Sequence, residues 1–162
     1  MPVRQDPSKY IGILSDTHGQ LRPAVMRAFR GVAMILHAGD VGDPAVLQEL
    51  DQLAPVHAVR GNMDQGVLFE RLPSTRLLDH SGISIYLLHD LDKLDINPVA
   101  SGVQMVAHGH THQASVEQRQ GVWYINPGVA GPTRGRGRPS VVLVEIGNEL
   151  IVPKVVTISS LV

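Results

Sequence analysis

Tyr10-Ile11-Gly12-Ile13-Leu14-Ser15-Asp16-Thr17-His18-Gly19 is a short apolar run that stops at a polar, glycine-ended loop. That pattern predicts a buried first strand over 10–14 whose carboxyl end carries a carboxylate and an imidazole. Residues two apart in an extended segment point the same way, so Asp16 and His18 could reach one ion from there. The competing local reading is that Ser15 and Asp16 cap the helix that follows.

The same plan then repeats. Pro23 suits a first helical turn, and Leu21, Val25, Ala28 and Phe29 recur at helical spacing until Gly31, predicting a helix packed on a sheet. Ala33-Met34-Ile35-Leu36 reads as a second strand that runs through His37 and Ala38 into Gly39-Asp40, a second carboxylate at a strand end. Asp43-Pro44 opens a second helix with Val46, Leu47, Leu50 and Leu53 on one face, and Pro55 closes it. Val56-His57-Ala58-Val59 is a third strand leading into the polar loop Arg60-Gly61-Asn62-Met63-Asp64-Gln65-Gly66. Open α/β sheets present functional groups at the carboxyl ends of their strands, where side chains share one crevice. His37 is expected beside that crevice in a supporting place. His57 is expected to pack or to face solvent.

After this loop the strand–helix alternation is expected to end, and strands with tight turns take over. Thr75–Leu78 and Ile83–Leu88 flank His80-Ser81-Gly82 as a hairpin whose second strand ends at His89-Asp90. Asp90, Asp92 and Asp95 read as a solvated loop or short helix. Met105-Val106-Ala107 is another buried strand, and it runs into His108-Gly109-His110-Thr111-His112, three imidazoles in five residues. A histidine cluster this dense reads as metal-binding. Ser115–Glu117 and Val122–Ile125 form a further hairpin closed by Asn126-Pro127-Gly128. Val141–Val144 and Leu150–Val152 pair across Gly147-Asn148, continuing through Val155 and Val156. Between them Gly131–Pro139 is too rich in glycine and arginine to be core and is expected as an exposed loop.

Composition limits the chemistry. The chain has 162 residues, 43% apolar and 18% charged, which fits one domain over 1–162. It has no cysteine, so metal ligation is restricted to nitrogen and oxygen donors, and a thiol nucleophile is excluded. A net charge of −1 gives no global attraction to nucleic acid or anionic membrane, so an anionic substrate must be drawn by local charge or bound cations. Met1 to Lys9 has no apolar core of signal-peptide length and no spanning run is present, which sets the expectation of a soluble, cytoplasmic protein.

Asp16, His18, Asp40, Asn62, His89, His110 and His112 are thus donors at strand ends in five loops, enough for two ions. In the order Asp16-Thr17-His18, Gly39-Asp40, Gly61-Asn62-Met63-Asp64, His89 and Gly109-His110-Thr111-His112, the sequence resembles the calcineurin-like metallophosphoesterase superfamily, and its length resembles the small prokaryotic phosphodiesterase branch. The resemblance implies a four-layer αββα sandwich of two mixed sheets flanked by helices, with a dinuclear centre at the sheet edge. It implies Asp40 as the bridging ligand, Asp16, His18 and His112 completing one ion's shell, and Asn62, His89 and His110 the other's. Two divalent cations about 3.5–4 Å apart would bind phosphate oxygens and supply a bridging hydroxide that attacks phosphorus. Manganese is the first expectation, and iron, nickel, cobalt and zinc suit the same donors.

Asn62, His89 and Arg134 are the residues expected against the substrate phosphate, Arg134 as part of a basic loop with Arg136 and Arg138. The sequence also departs from the family pattern. Met63 stands where many relatives carry histidine or cysteine, leaving the general acid to a metal-bound water or to His108, whose alternative is plain solvent exposure. Asp90 replaces a glycine after His89, and Val129 replaces the serine of an N-P-G-S turn, removing a hydroxyl. The expected activity is hydrolysis of a small phosphodiester, with no membrane, no dedicated nucleic-acid binding, and homo-oligomerisation open. The rival readings are a binding scaffold on the same fold, as in the retromer-subunit branch, and a phosphomonoesterase.

Overall fold

The computed structural model describes residues 9–148 and 150–158. The expectation about the amino terminus therefore lies, Lys9 aside, outside the described residues. Strands β1 (Tyr10–Leu14), β2 (Met34–His37) and β3 (Val56–Ala58) run parallel, with Gly12 opposite Ile35 and Leu36 opposite His57. Helices α1 (Pro23–Ala28) and α2 (Pro44–Asp51) cross between them. Helix α2 starts as its sequence suggests, with Asp43 accepting from the Ala45 N–H ahead of Pro44. Helix α1 is flanked by Arg22 with no side-chain cap, so Ser15 and Asp16 do not serve as caps. Glycine at position 12 lets α1 lie directly on β1, because a Cβ there would collide with the Phe29 ring.

The first sheet, in the order β10-β9-β1-β2-β3, is completed by β9 (Ser140–Gly147) and β10 (Leu150–Thr157), both paired antiparallel. Pro153 is tolerated because β10 is an edge strand. The second sheet has the order β4-β5-β6-β8-β7, from β4 (Thr75–His80), β5 (Ile83–Leu88), β6 (Met105–Ala107), β7 (Ser115–Arg119) and β8 (Val122–Asn126). Its hairpins turn on Ser81-Gly82 and Gln120-Gly121, whose φ values of 50°, 79°, 50° and 80° match the strand twist and demand glycine second.

Ile11, Ile13, Leu36 and Val142 from the first sheet meet Ile85, Leu87, Met105 and Ile125 from the second in one dry core. On the outer face of the first sheet, Leu14, Ile35 and Val141 pack under Val25, Phe29, Val46 and Leu50. The expected sandwich of two mixed sheets is thus present, with two differences. The outer face of the second sheet is covered by a 3₁₀ turn, Leu91–Lys93, and by coil carrying Leu94, Ile96 and Val103, because Asn97, Pro98 and Gly102 interrupt any longer helix. Helix α3 (Val67–Arg71) follows the third parallel strand, contrary to the expectation that the alternation ended there. Only Leu68 of its five residues is buried, too little periodicity to read in sequence. No helix among the described residues is long and apolar enough to cross a membrane.

Candidate metal centre

The loops after β1, β2, β3, β5 and β6 all emerge at one edge of the two sheets, because these strands are parallel within their sheets and their carboxyl ends share that edge. Asp16, His18, Asp40, His110 and His112 have φ values of 58°, 47°, 54°, 73° and 63°. The side chains of Asp16 and His18 therefore converge through left-handed backbone and not through the alternation of an extended strand. Left-handed geometry at residues with a Cβ costs roughly 1–3 kcal/mol each and persists only where neighbours impose it. Here the Asp16 N–H donates to the Gly39 carbonyl at 3.0 Å, the His18 N–H to the Asp40 carbonyl at 3.0 Å, and the His110 N–H to Asp16 Oδ2 at 3.2 Å.

The donors fall into two halves. In one, Asp16 Oδ1 lies 3.2 Å from His112 Nε2 and 3.8 Å from His18 Nε2, and the two imidazole nitrogens are 3.4 Å apart. In the other, His89 Nε2 lies 3.0 Å from Asn62 Oδ1, 3.4 Å from Asp40 Oδ2 and 3.3 Å from His110 Nδ1. The halves touch: Asp16, Asp40 and His89 bring ligand atoms within 4.8 Å of one another, as do Asp16, His18 and His112. Asp16 Oδ1 is buried with no hydrogen-bond partner. A buried carboxylate oxygen without a donor is costly, and facing lone pairs repel, so this set fits a cation between the groups.

Electrostatics agree with that fit. Burial pushes Asp40 up, but the His89 side chain and the Met63 N–H, which donates at 2.9 Å, hold it below the usual carboxylate value. Burial pushes His89 down, yet its hydrogen bond to Asp40 and the charges of Asp16 and Asp40 raise it above the ordinary imidazole value. The centre attracts positive charge at His89 Nε2, where a proton and a metal ion compete. His89 Nδ1 donates to the Ala38 carbonyl at 2.7 Å, which aims Nε2 inward.

Several residues hold this arrangement without touching its centre. Ser15 Oγ donates to Asp16 Oδ2 at 2.6 Å. Asp64, whose role the sequence does not reveal, accepts from the N–H groups of Val41, Gly42 and Gly61 at 3.2, 3.0 and 2.9 Å and ties the Asp40 and Asn62 loops together. Gly61 and Gly109 must lack a side chain, since a Cβ would run into the Asp40 carboxylate in the first case and into Ser15 Oγ in the second. The Asn126 amide donates to the Gly109 carbonyl at 3.0 Å and to Thr111 Oγ1 at 2.9 Å, fixing the histidine loop. The turn ahead of Val129 is steadied by Ser140, whose Oγ donates to the Pro127 carbonyl at 2.6 Å.

His37 lies beside the crevice, as expected. The Gly39 N–H donates to its Nδ1 at 3.2 Å and Thr17 Oγ1, which donates to the Val41 carbonyl, lies 3.0 Å from its Nε2, so the ring is the neutral Nε2–H tautomer. Burial, reinforced by the charge of His89, lowers its pKa to about 3. His57 is half-buried on β3 and takes no place in the cluster. His108 is not solvent-exposed: it is 5% accessible, burial lowers its pKa to about 4, and it does not line the donor cavity, so it is not placed to protonate a leaving group. Met63, 60% exposed, lines the mouth of that 360 Å³ cavity with Pro132 and Arg134. Asp90 caps the 3₁₀ turn through Oδ1, while its Oδ2 reaches to 3.9 Å from His110 Nε2. Asp95 accepts from the Tyr86 hydroxyl at 2.6 Å, away from the donors.

This chain is 37% identical over 152 residues to a protein of Methanothermobacter thermautotrophicus named as a probable metallophosphoesterase, covering 86% of this chain and 87% of that one. Its fold is similar to a solved archaeal phosphodiesterase, with a TM-score of 0.73 at 23% identity over 91% of this chain and 99% of the other. It is also similar to the zinc complex of Vps29 from Entamoeba histolytica, with a TM-score of 0.70 at 23% identity over 91% and 98% of the two chains. The sequence profile of the calcineurin-like phosphoesterase superfamily domain matches residues 10–149. On that match, and on the sandwich and donor edge that go with it, the chain belongs to the calcineurin-like phosphoesterase superfamily.

Proposed function

We propose that this protein is a metal-dependent phosphodiesterase acting on a small diester at the edge of the two sheets. The observation that carries the reading is the gathering of Asp16, His18, Asp40, Asn62, His89, His110 and His112 at one edge, with Asp16 Oδ1 buried and without a hydrogen-bond partner. Two divalent cations, manganese first by donor chemistry with iron, nickel, cobalt and zinc also suited, would supply positive charge for phosphate oxygens and an attacking hydroxide near neutral pH. Asp16, His18 and His112 would hold one cation, Asn62, His89 and His110 the other, and Asp40, between the halves, would be shared. The neutral imidazoles and the Asn62 amide limit negative charge, so an anionic diester can approach. Asn62 and His89 border the phosphate position, and Arg134 on the cavity wall faces an outer phosphate oxygen. The ligands apart, the cavity is lined by Met63, Pro132 and Arg134, none of which donates a proton at neutral pH. Rates should therefore track leaving-group acidity, with aryl esters cleaved fastest.

The scaffold reading has one observation in its favour. Met63, Val67 and Phe69 are exposed apolar side chains along one segment beside the centre, a surface that could meet a protein partner. Hydrolysis of an aryl phosphodiester and the matching monoester by chelator-stripped protein, titrated with manganese beside Asp40→Asn, separates the readings. We expect manganese-dependent turnover, the diester preferred, and a loss of at least about 100-fold in Asp40→Asn. Folded wild-type protein without turnover under any of the five metals would remove the enzyme reading.

A further inference from the structure

Two further cavities lie beside the donor cavity, and they differ in charge. The one on the His89 side, of about 560 Å³, mixes Arg60 and Lys93 with Asp64, Asp90 and Asp95 and has no net call for an anion. The one on the His112 side, of about 810 Å³, is lined by Arg134, Arg136 and Arg138 and by no acidic residue. Among the described residues none of these three guanidinium groups has a hydrogen-bond or ion-pair partner. His112 and Arg134 line both this cavity and the donor cavity, so the two are adjacent.

The arginine loop is anchored where it leaves the fold and free at its tip. At its start the Gly131 N–H donates to the Asp16 carbonyl at 3.2 Å, Arg22 Nη2 donates to the Gly131 carbonyl at 3.0 Å, and a Cβ on Gly131 would strike the Thr17 backbone. At its end the Ser140 N–H donates to the Val129 carbonyl at 3.0 Å. The tip turns tightly, with the Arg136 N–H donating to the Thr133 carbonyl at 3.0 Å and φ values of 52°, 75° and 71° at Arg134, Gly135 and Gly137. A Cβ on Gly135 or Gly137 would meet nothing within 4 Å, so the tip stands clear of the fold with guanidinium groups as its only long side chains.

We propose that this loop is an anion subsite for a second phosphate group carried by the substrate, so that the preferred diester bears a pendant phosphate beyond the scissile one. The inference rests on the phosphodiesterase reading for its substrate-borne part. Like charges gathered without counter-charges repel one another, and the planar fork of arginine matches phosphate oxygens in pairs. A phosphate held there relieves that repulsion while the scissile group sits at the donors next door.

The test uses the full chain and the double variant Arg136→Gln/Arg138→Gln in two readouts. Calorimetric titration with inorganic tripolyphosphate, without added metal, should show binding to wild type that weakens by about tenfold in the variant, at an unchanged thermal midpoint. With manganese, kcat/KM is compared for thymidine 5′-(p-nitrophenyl phosphate) and its 3′-phosphorylated form, which differ only by the second phosphate. Wild type should prefer the phosphorylated form, and the variant should lose about tenfold of that preference, mainly through KM. Equal binding of tripolyphosphate by both proteins would overturn the subsite, and an unchanged substrate ratio would overturn its link to the substrate. No turnover of either ester by wild type would count against the phosphodiesterase reading, and calorimetry would still decide the subsite.

Discussion

His89 and His112 are the same chemical group placed in opposite settings on the two sides of one centre. His89 is 5% accessible, its Nδ1 bound to the Ala38 carbonyl and its Nε2 faced by Asp40 and Asn62, and the loops around it are laced together by Asp64. His112 is 44% accessible, its neighbour His18 is 25% accessible, and their rings meet edge to face at 5.4 Å with Asp16 as the nearest anion. One half is built before any ligand arrives; the other is held mainly by its backbone turns and stays open to the arginine cavity. Identical ligand types can thus hold ions with different tenacity, because the hydrogen bonds behind a ligand decide how much ordering remains when metal binds.

The sharpest way to break this comparison is to remove each ring in turn. His89→Ala should lower folding stability by about 2–3 kcal/mol, since it leaves the Ala38 carbonyl buried and unpaired, whereas His112→Ala should change it by no more than about 0.5 kcal/mol. Denaturant titration of the two variants reads that difference, and equal losses would mean that the halves are alike. Manganese calorimetry on the same proteins should show the tighter site lost in His89→Ala and the weaker in His112→Ala.

A finer cut concerns Asp90, whose carboxylate approaches His110 from the side away from His89. Asp90→Asn should weaken the tighter site by about tenfold, while Asp90→Glu should restore part of it. No change in either variant would limit Asp90 to capping its 3₁₀ turn.

A separate test, away from the ligands' own rings, is a slope with pH. The His37 pKa falls from 6.5 unfolded to about 3 folded, so between those values the unfolded chain binds a proton that the folded chain does not. Stability should be full above pH 6.5 and fall by of order 1 kcal/mol per pH unit as pH drops toward 3. His37→Gln should flatten that slope in thermal or denaturant unfolding followed across the window. An unchanged slope would assign the acid sensitivity to other groups.

Much of this was legible along the chain. The donor set could be listed because each ligand follows a short apolar run, and periodicity of two or of about 3.6 is a local property that adjacent residues carry. The turn in His80-Ser81-Gly82 was legible from its glycine, and the structure narrows it to Ser81-Gly82. Helix α3 was not, because a helix burying only Leu68 has no period to detect. His108 was misjudged because its surroundings come from residues distant along the chain, Asp90, Glu117, Arg119 and the Ile125 carbonyl that accepts from its N–H, which no neighbour in sequence announces.

What the sequence determined by itself is the order of elements and the kinds of donor at their ends: oxygen and nitrogen, no sulfur, in five loops. What tertiary structure decided is how those donors meet. The left-handed backbone at Asp16, His18, Asp40 and His110 is held by hydrogen bonds between residues up to 94 positions apart. Tertiary structure likewise decided the unpartnered oxygen of Asp16, the tie made by Asp64, and the placing of the arginine cavity beside the donors. These depend on which loops the parallel strands bring to a common edge, and contacts across that edge are unrelated to spacing along the chain.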